Sequence, residues 1–241
     1  MITSTDSPLH EDLVALLRAS QATEHDLFAS LSPEMRDAPG AIGEWSAKDV
    51  LAHLAAWRSI EARRLEAAAA SAATPPEDPA ATDPEDVSNA TIHAERADWS
   101  WDTVADDADA SIEALVAAFG RSSAEALCAC EGTSTGLGAS GVNHSLAHLS
   151  DVARLAGGHE RLTAYVAEIE TILRGNHLPP RDSGTILYNI ACHRALTGEL
   201  DDARRLLRTA FARRPDLAGH AANDPDLAAL SGELADLAAP A

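Results

Sequence analysis

The sequence has little that would suit a membrane, an export pathway or a nucleic-acid partner. None of its apolar runs approaches the ~20 residues that a membrane-spanning helix needs. The N-terminus, MITSTDSPLHEDL, has neither a basic leader nor an apolar stretch before a small-residue cleavage site, which predicts a cytoplasmic location. Acidic residues outnumber basic ones by 38 to 18, and the formal charge of −20 disfavours phosphate backbones and anionic lipids. We therefore expect neither a nucleic-acid partner nor a membrane partner.

Cysteine is also scarce. The three cysteines, Cys128, Cys130 and Cys192, are too few and too unevenly placed to predict a disulfide framework. The C-x-C pair at Cys128 and Cys130 lacks the spacing of a zinc knuckle. All three are interpreted as reduced packing residues.

Helical periodicity dominates what is present. Apolar residues recur at helical spacing almost throughout the 241 residues, and no alternating stretch is long enough to predict a strand, so the fold class is all-α. Four long helices are expected: one before Pro33, one from Ser46, one over residues 86–119 with a break near Trp99, and one from near Ser140. The segments TPPEDPAATDPED and EGTSTGLGASG predict loops. This order predicts a four-helix bundle whose second and fourth helices can both face the axis.

Two of the predicted helices begin with capping signals. The hydroxyl of Ser46 can accept a hydrogen bond from the amide of Asp49, whose carboxylate at the third helical position completes a capping box. Ser100 is the expected cap for the second part of the third helix. Both helix starts are therefore predicted within narrow limits.

Three histidines fall on inward faces of two predicted helices. His53 lies one turn before Trp57 on the second helix, and His144 and His148 are four residues apart on the fourth. Two histidines at this spacing can bind one metal ion from the same side, and a third from a facing helix would complete a triad with open coordination positions. Zinc, nickel and ferrous iron would each accept imidazole nitrogen. The alternative is three core histidines, which would carry unsatisfied polar atoms if buried together without a partner.

Two motifs resemble a known superfamily. GEWSAKDVLAHLAAW, residues 43–57, resembles the second-helix signature of the DinB-like superfamily, especially its ClbS/DfsB-type branch, and NHSLAHL resembles the fourth-helix motif. The likeness covers about residues 8–160 and implies an up-down four-helix bundle. It also implies a metal held by His53, His144 and His148, with Asn89 facing the pocket. Trp57 would form a wall of that pocket and bind substrate with Asn89, or would be an ordinary core residue.

The resemblance implies a class of chemistry rather than one substrate. Characterised members include thiol S-transferases that use bacillithiol or mycothiol, a mycothiol-dependent isomerase and a self-resistance enzyme that opens electrophilic cyclopropanes. This implies a metal-dependent thiol S-transferase or hydrolase that acts on reactive electrophilic small molecules in detoxification or self-resistance, with mycothiol or a similar thiol as co-substrate. The self-resistance branch is not uniformly metal-dependent. No general base is predicted, since Glu61 and Asp151 fall off the inferred stripes.

The C-terminal third resembles one tetratricopeptide repeat over residues 184–217. We therefore predict two domains, a DinB-like bundle over residues 1–160 and a helical domain over residues 161–241. One repeat cannot bury its own face, so this extension must pack on its neighbours or on a second copy of the chain. The repeat positions are occupied by small or apolar residues: Leu187, Ile190, Ala191, Gly198, Ala203, Leu207, Ala210 and Pro215.

Two interpretations of the C-terminal region remain open. It is either a docking surface for a protein partner or for self-association, or a structural cover for the bundle. If the region is a docking surface, the chain could be a binding protein instead of an enzyme. Its bundle would then bind a small apolar molecule without catalysis while the repeat recruits a partner. A basic cluster bears on the docking interpretation: Arg204, Arg205, Arg208, Arg213 and Arg214. The remaining histidines considered are interpreted as surface or packing residues: His93, His159, His177, His193 and His220.

Overall fold

A computed structural model describes residues 7–70, 85–129 and 142–239, and most of them are helical, which confirms the all-α prediction. The first helices in chain order are α1 (Pro8–Ala29), α2 (Pro33–Asp37), α3 (Ala47–Ala70), α4 (Glu85–Arg96), α5 (Trp101–Arg121), α6 (Ala124–Ala129) and α7 (Val142–Ala156). The C-terminal elements are α8 (His159–Leu173), α9 (Pro180–Leu196), α10 (Leu200–Arg213), α11 (Leu217–Ala221), a 3₁₀ helix (Pro225–Leu230) and α12 (Leu234–Ala238). Within the described ranges, no helix combines the length and apolar character that crossing a membrane requires.

The four predicted long helices, α1, α3, α5 and α7, pack side by side in a ring. Helix α1 packs on α5 and α7, and α3 packs on the same two helices from the other side. The predicted third helix is broken as expected, between α4 and α5. The two predicted loops lie largely or wholly outside the described residues, as do the expected helix start at Ser140 and the side chain of Cys130. The predicted second and fourth helices, α3 and α7, are neighbours, as the metal hypothesis requires.

A short antiparallel ribbon precedes α3 and was not predicted. Its strands are β1 (Pro39–Ile42) and β2 (Trp45–Ser46), which pair across a turn at Gly43. Gly43 has φ of +56°, a left-handed conformation that glycine adopts without steric cost. Strands this short carry no alternating apolar pattern, so periodicity could not reveal them. The ribbon places Trp45 beside the first turns of α3.

The predicted caps are confirmed. At the start of α3, Ser46 Oγ accepts a hydrogen bond from the Asp49 amide at 3.2 Å, and Asp49 Oδ2 accepts one from the Ser46 amide at 2.9 Å. At the start of α5, Ser100 Oγ accepts a hydrogen bond from the Thr103 amide at 3.2 Å. These bonds satisfy amides that have no partner within the helix and fix where α3 and α5 begin.

Removing the Ser46 cap should measurably destabilise the fold. We expect Ser46→Ala to lower the free energy of unfolding by about 1 kcal/mol, because it leaves a first-turn amide of α3 without its acceptor. Urea denaturation followed by circular dichroism measures the change. The control Ser231→Ala alters an exposed hydroxyl in the C-terminal segment and should change stability by less than about 0.5 kcal/mol. Equal effects of the two substitutions would contradict the assignment.

The C-terminal region contains two helices joined by a tight turn. Helices α9 and α10 pack against each other after a turn at Gly198, whose φ is +84°. Helix α9 also packs on α7 of the bundle and on the 3₁₀ helix. The buried apolar residues form one cluster that extends from Leu9 to Leu237. The boundary at residue 160 and the resemblance to a tetratricopeptide repeat stay predictions. The predicted repeat positions in the two helices are buried: Leu187, Ile190, Ala191, Ala203, Leu207 and Ala210.

Candidate metal centre

The structure brings the three predicted histidines together. His53 on α3 faces His144 and His148 on α7. Its ring centroid lies 4.6 Å from that of His144 and 5.2 Å from that of His148, and the two rings on α7 are 4.8 Å apart. The Nε2 atoms of His53 and His144 are 2.9 Å apart, and one ligand atom from each of the three rings lies within 4.8 Å of the others. His53 is buried, whereas His144 and His148 are partly exposed. Solvent therefore reaches the two residues on α7 in part.

This spacing fits ligands of one ion. Two imidazole nitrogens bound at ~2.1 Å lie about 3.0 Å apart when they subtend a right angle, and about 3.4 Å apart at the tetrahedral angle. The 2.9 Å between the Nε2 atoms of His53 and His144 is close to the first value. A direct hydrogen bond between these two rings would give a similar distance, but it would not account for the third ring at His148. A donor set of three imidazoles suits zinc, nickel or ferrous iron.

Burial keeps the triad in the form that binds metal. It lowers the pKa of His53 to about 3, with the nearby His148 adding to the effect. It also holds the pKa of His144 well below its usual range, and the charges of His148, His53 and Arg58 act in the same direction. The pKa of His148 is lowered by burial, against an opposing effect of Asp151. The rings are thus neutral at pH 7, as metal ligation requires.

Trp57 lies beside the triad and contacts Asn89, the other residue predicted to bind substrate. The indole Nε1 of Trp57 donates a hydrogen bond to Asn89 Oδ1 at 3.1 Å. The Trp57 ring lies 6.4 Å from that of His53 and 6.2 Å from that of His144. Because the acceptor atom of Asn89 is used by Trp57, its amide N–H groups remain to donate to another molecule. Trp57 therefore lies beside the triad and holds Asn89, and its role as a substrate-binding wall stays a prediction.

A second aromatic wall was missed. The ring of Trp45 meets that of His53 edge to face at 4.9 Å, and His93 stacks on the other side of Trp45 at 5.6 Å, with 8° between the planes. His93 Nε2 is also 3.6 Å from Asp49 Oδ1. His93 thus packs on Trp45 at the edge of the site, in agreement with its interpretation as a surface or packing residue. Trp45 stands in the motif at residues 43–57, so the available signal was an aromatic residue directly before the helix cap.

A buried ion pair lies next to the triad and was also missed. Arg58 on α3 is wholly buried and pairs with Glu24 on α1, with 3.1 Å between Nη1 and Oε2. Arg58 Nη2 also donates to Ser145 Oγ at 2.7 Å, and Ser20 Oγ donates to Glu24 Oε1 at 3.0 Å. Ser145 directly follows His144 in α7. The ion pair and its bond to Ser145 thus link α1, α3 and α7 next to the candidate metal ligand His144.

Glu61, which falls off the inferred stripe of α3, is nevertheless buried. Only 2% of the residue is exposed. The physical reason is that α3 has neighbours on several sides, so residues outside one stripe are buried too. Burial raises the pKa of Glu61 to about 8, with Arg64 opposing and Asp182 adding to the rise. Asp151, by contrast, lies at the surface, with its Oδ1 atom 3.3 Å from Arg154.

The raised pKa of Glu61 predicts a pH-dependent stability. Between about pH 4.5 and 8 the folded chain holds a proton on Glu61 that the unfolded chain has released, so this contribution to stability falls as the pH rises. Glu61→Gln removes the titration. We expect its stability relative to the parent to increase by on the order of 1 to 3 kcal/mol from about pH 5 to 8. Urea midpoints at several pH values measure this, and the exposed Glu95→Gln is the control. A constant difference would contradict it.

The site combines three neutral imidazoles with two neighbouring indole rings, those of Trp45 and Trp57. Comparisons of the chain with models of protein families, with curated proteins and with solved structures give no match. The metal hypothesis therefore rests on the convergence of His53, His144 and His148 and on their chemistry.

Proposed function

We propose that the chain is a metal-dependent enzyme that acts on reactive electrophilic small molecules, by thiol transfer or by hydrolysis, in detoxification or self-resistance. The observation that carries the proposal is the convergence of three neutral imidazoles from two helices, with His144 and His148 partly open to solvent. Three protein ligands with vacant positions are the arrangement of a reactive metal site, whereas structural sites are usually closed by four. The resemblance of the two histidine motifs to the DinB-like superfamily supports the same reading.

The surrounding residues define what each group would do. A bound divalent ion would supply Lewis acidity that activates a water molecule or a thiol at neutral pH. His53, His144 and His148 would hold it, and the rings of Trp45 and Trp57 would exclude bulk water from two sides. The amide of Asn89, fixed by its bond to Trp57, would donate to an oxygen atom of the electrophile.

The C-terminal arginines support a structural rather than a docking role for that region. Arg204 donates to Glu233 at 2.7 Å, and Arg205 donates to Asp202 at 3.1 Å. Arg214 also pairs with a carboxylate of its own chain, Asp216. Since these charges are compensated within the chain, they offer less attraction to an acidic partner. We therefore propose that the extension covers the bundle.

The test is turnover by the reconstituted protein. The full chain would be loaded separately with zinc, nickel and ferrous iron and assayed on an epoxide, an α,β-unsaturated carbonyl and an activated ester, with and without mycothiol or another low-molecular-weight thiol. We expect thiol- or water-dependent consumption of at least one electrophile, and a loss of at least roughly 100-fold in His144→Ala. His177→Ala changes an exposed histidine and should retain activity.

Two results would count against the proposal. Stoichiometric metal with no turnover of any electrophile would favour a binding protein. Turnover that is equal with and without metal, or equal in the parent and in His144→Ala, would show that the triad does not carry the chemistry.

A further inference from the structure

A separate cavity of about 220 Å³ lies between the bundle and the C-terminal region. Helix α7 contributes Ser150 from a face other than that of its two candidate ligands, and α9 contributes Cys192 and His193. Asp224 and Asp226, at the start of the 3₁₀ helix, close the other side. Among the described residues that line the cavity, none is a lysine or an arginine. Its two carboxylates therefore face a space without a fixed positive charge.

Three potential ligand atoms converge in this cavity. The Cys192 sulfur and one carboxylate oxygen each from Asp224 and Asp226 lie within 4.8 Å of one another. Cys192 Sγ is 3.6 Å from Asp224 Oδ2, which also accepts a hydrogen bond from the Tyr188 hydroxyl at 2.6 Å. A thiolate at ~2.3 Å and a carboxylate at ~2.0 to 2.2 Å from one tetrahedral ion are about 3.5 Å apart. The observed separation is close to that value, and without a metal it is the length of a hydrogen bond from the Cys192 thiol to Asp224.

An independent observation also points to a ligand here. His193 lines the same cavity and is only 7% exposed, yet its Nε2 atom has no hydrogen-bond partner in the described part of the chain. A buried polar atom without a partner is costly, and such atoms mark places where a ligand, an ion or a water completes the site.

The electrostatics of the cavity favour a cation. Asp224 and Asp226 contribute two carboxylates to its lining. A divalent ion would compensate their charge and would deprotonate the Cys192 thiol, since a coordinating thiol binds as a thiolate.

We propose that Cys192, Asp224 and Asp226 form a second metal site, distinct from the histidine triad, for a thiophilic divalent ion such as zinc. Binding replaces the Cys192 S–H bond by a bond from sulfur to the metal and releases the thiol proton to solvent. Water molecules complete the coordination. The site joins α9 to the segment at the start of the 3₁₀ helix, so its role is to hold that segment against α9.

Cobalt(II) is the probe that separates the two sites. Only a site with a thiolate gives a sulfur-to-cobalt charge-transfer band, and the triad has none. Titration of the reduced full chain with cobalt should give two equivalents bound and this band. Cys192→Ser should bind one equivalent without the band. His148→Ala should also bind one equivalent of cobalt, but it should retain the charge-transfer band. Failure at one site is therefore distinguishable from failure at the other. The double variant with Cys128→Ser and Cys130→Ser should behave as the parent.

A second variant guards against misfolding of Cys192→Ser. Asp226→Asn removes one ligand while its backbone amide can still donate to Asp224, and it should weaken the band-forming site by at least roughly tenfold. Zinc should raise the melting temperature of the parent more than that of Asp226→Asn. A parent that shows no band at saturating cobalt, or a band that survives in Cys192→Ser, overturns the proposal.

Discussion

Replacing His148 with alanine is expected to lower the affinity of the triad for zinc, nickel or ferrous iron by at least roughly 100-fold. Loss of a residue that merely supports a ligand already costs about 10- to 100-fold, and here a ligand itself is lost. The remaining pair, His53 and His144, would bind from two helices without the second nitrogen on α7. Competition with a chromophoric chelator and elemental analysis measure affinity and stoichiometry. The Cys192→Ser background restricts the measurement to the triad.

The fold should survive this substitution. His148 is partly exposed, so its truncation leaves no closed cavity in the core. The far-ultraviolet circular dichroism of His148→Ala should therefore match that of the parent. His177→Ala is the matched control, because His177 is an exposed histidine whose Nδ1 atom lies 3.0 Å from Asp12. A variant at His148 that binds metal as tightly as this control would contradict the assignment of the site.

The parts of the site that could be predicted are those encoded by local spacing. The separation of His144 and His148 by one helical turn fixes their common face, and the position of His53 one turn before Trp57 does the same on α3. The capping box at Ser46 follows from residues three apart. Each of these is decided within one helix, so the periodicity of the sequence was sufficient.

The parts that could not be predicted depend on contacts between distant segments. The stacking of His93 on Trp45 requires the ribbon before α3, which is too short to leave a periodic signal. Glu61 is buried because α3 is surrounded, a property of the neighbours rather than of its own stripe. The pairing of Arg58 with Glu24 joins two helices, and each residue by itself reads as an ordinary surface charge.

Breaking the buried ion pair is expected to have the largest effect on stability. Arg58→Met should lower the free energy of unfolding by about 3 to 5 kcal/mol, because it leaves the Glu24 carboxylate buried without its partner. The double variant with Arg58→Met and Glu24→Leu removes both charges and should recover most of the loss, since apolar replacements of buried pairs are often neutral. Urea denaturation of the parent, both single variants and the double variant gives the coupling energy.

An exposed pair provides the comparison. Arg18 and Glu113 form an ion pair between α1 and α5 at the surface, with 2.9 Å between Arg18 Nη2 and Glu113 Oε2. Arg18→Met should cost no more than about 1 kcal/mol, because water solvates the charge left behind. If Arg58→Met lowers the free energy of unfolding by no more than Arg18→Met does, burial does not determine how much the Arg58–Glu24 pair contributes to stability.

The double variant also separates stability from the positioning of the metal ligands. Arg58 holds Ser145, the neighbour of His144, so an apolar residue at position 58 removes the bond that fixes this turn of α7 relative to α3. We expect the refolded double variant to bind metal at the triad roughly tenfold more weakly than the parent, as for loss of other groups that orient a ligand. Unchanged affinity would mean that packing alone orients His144, and that the ion pair serves only to join α1 to α3.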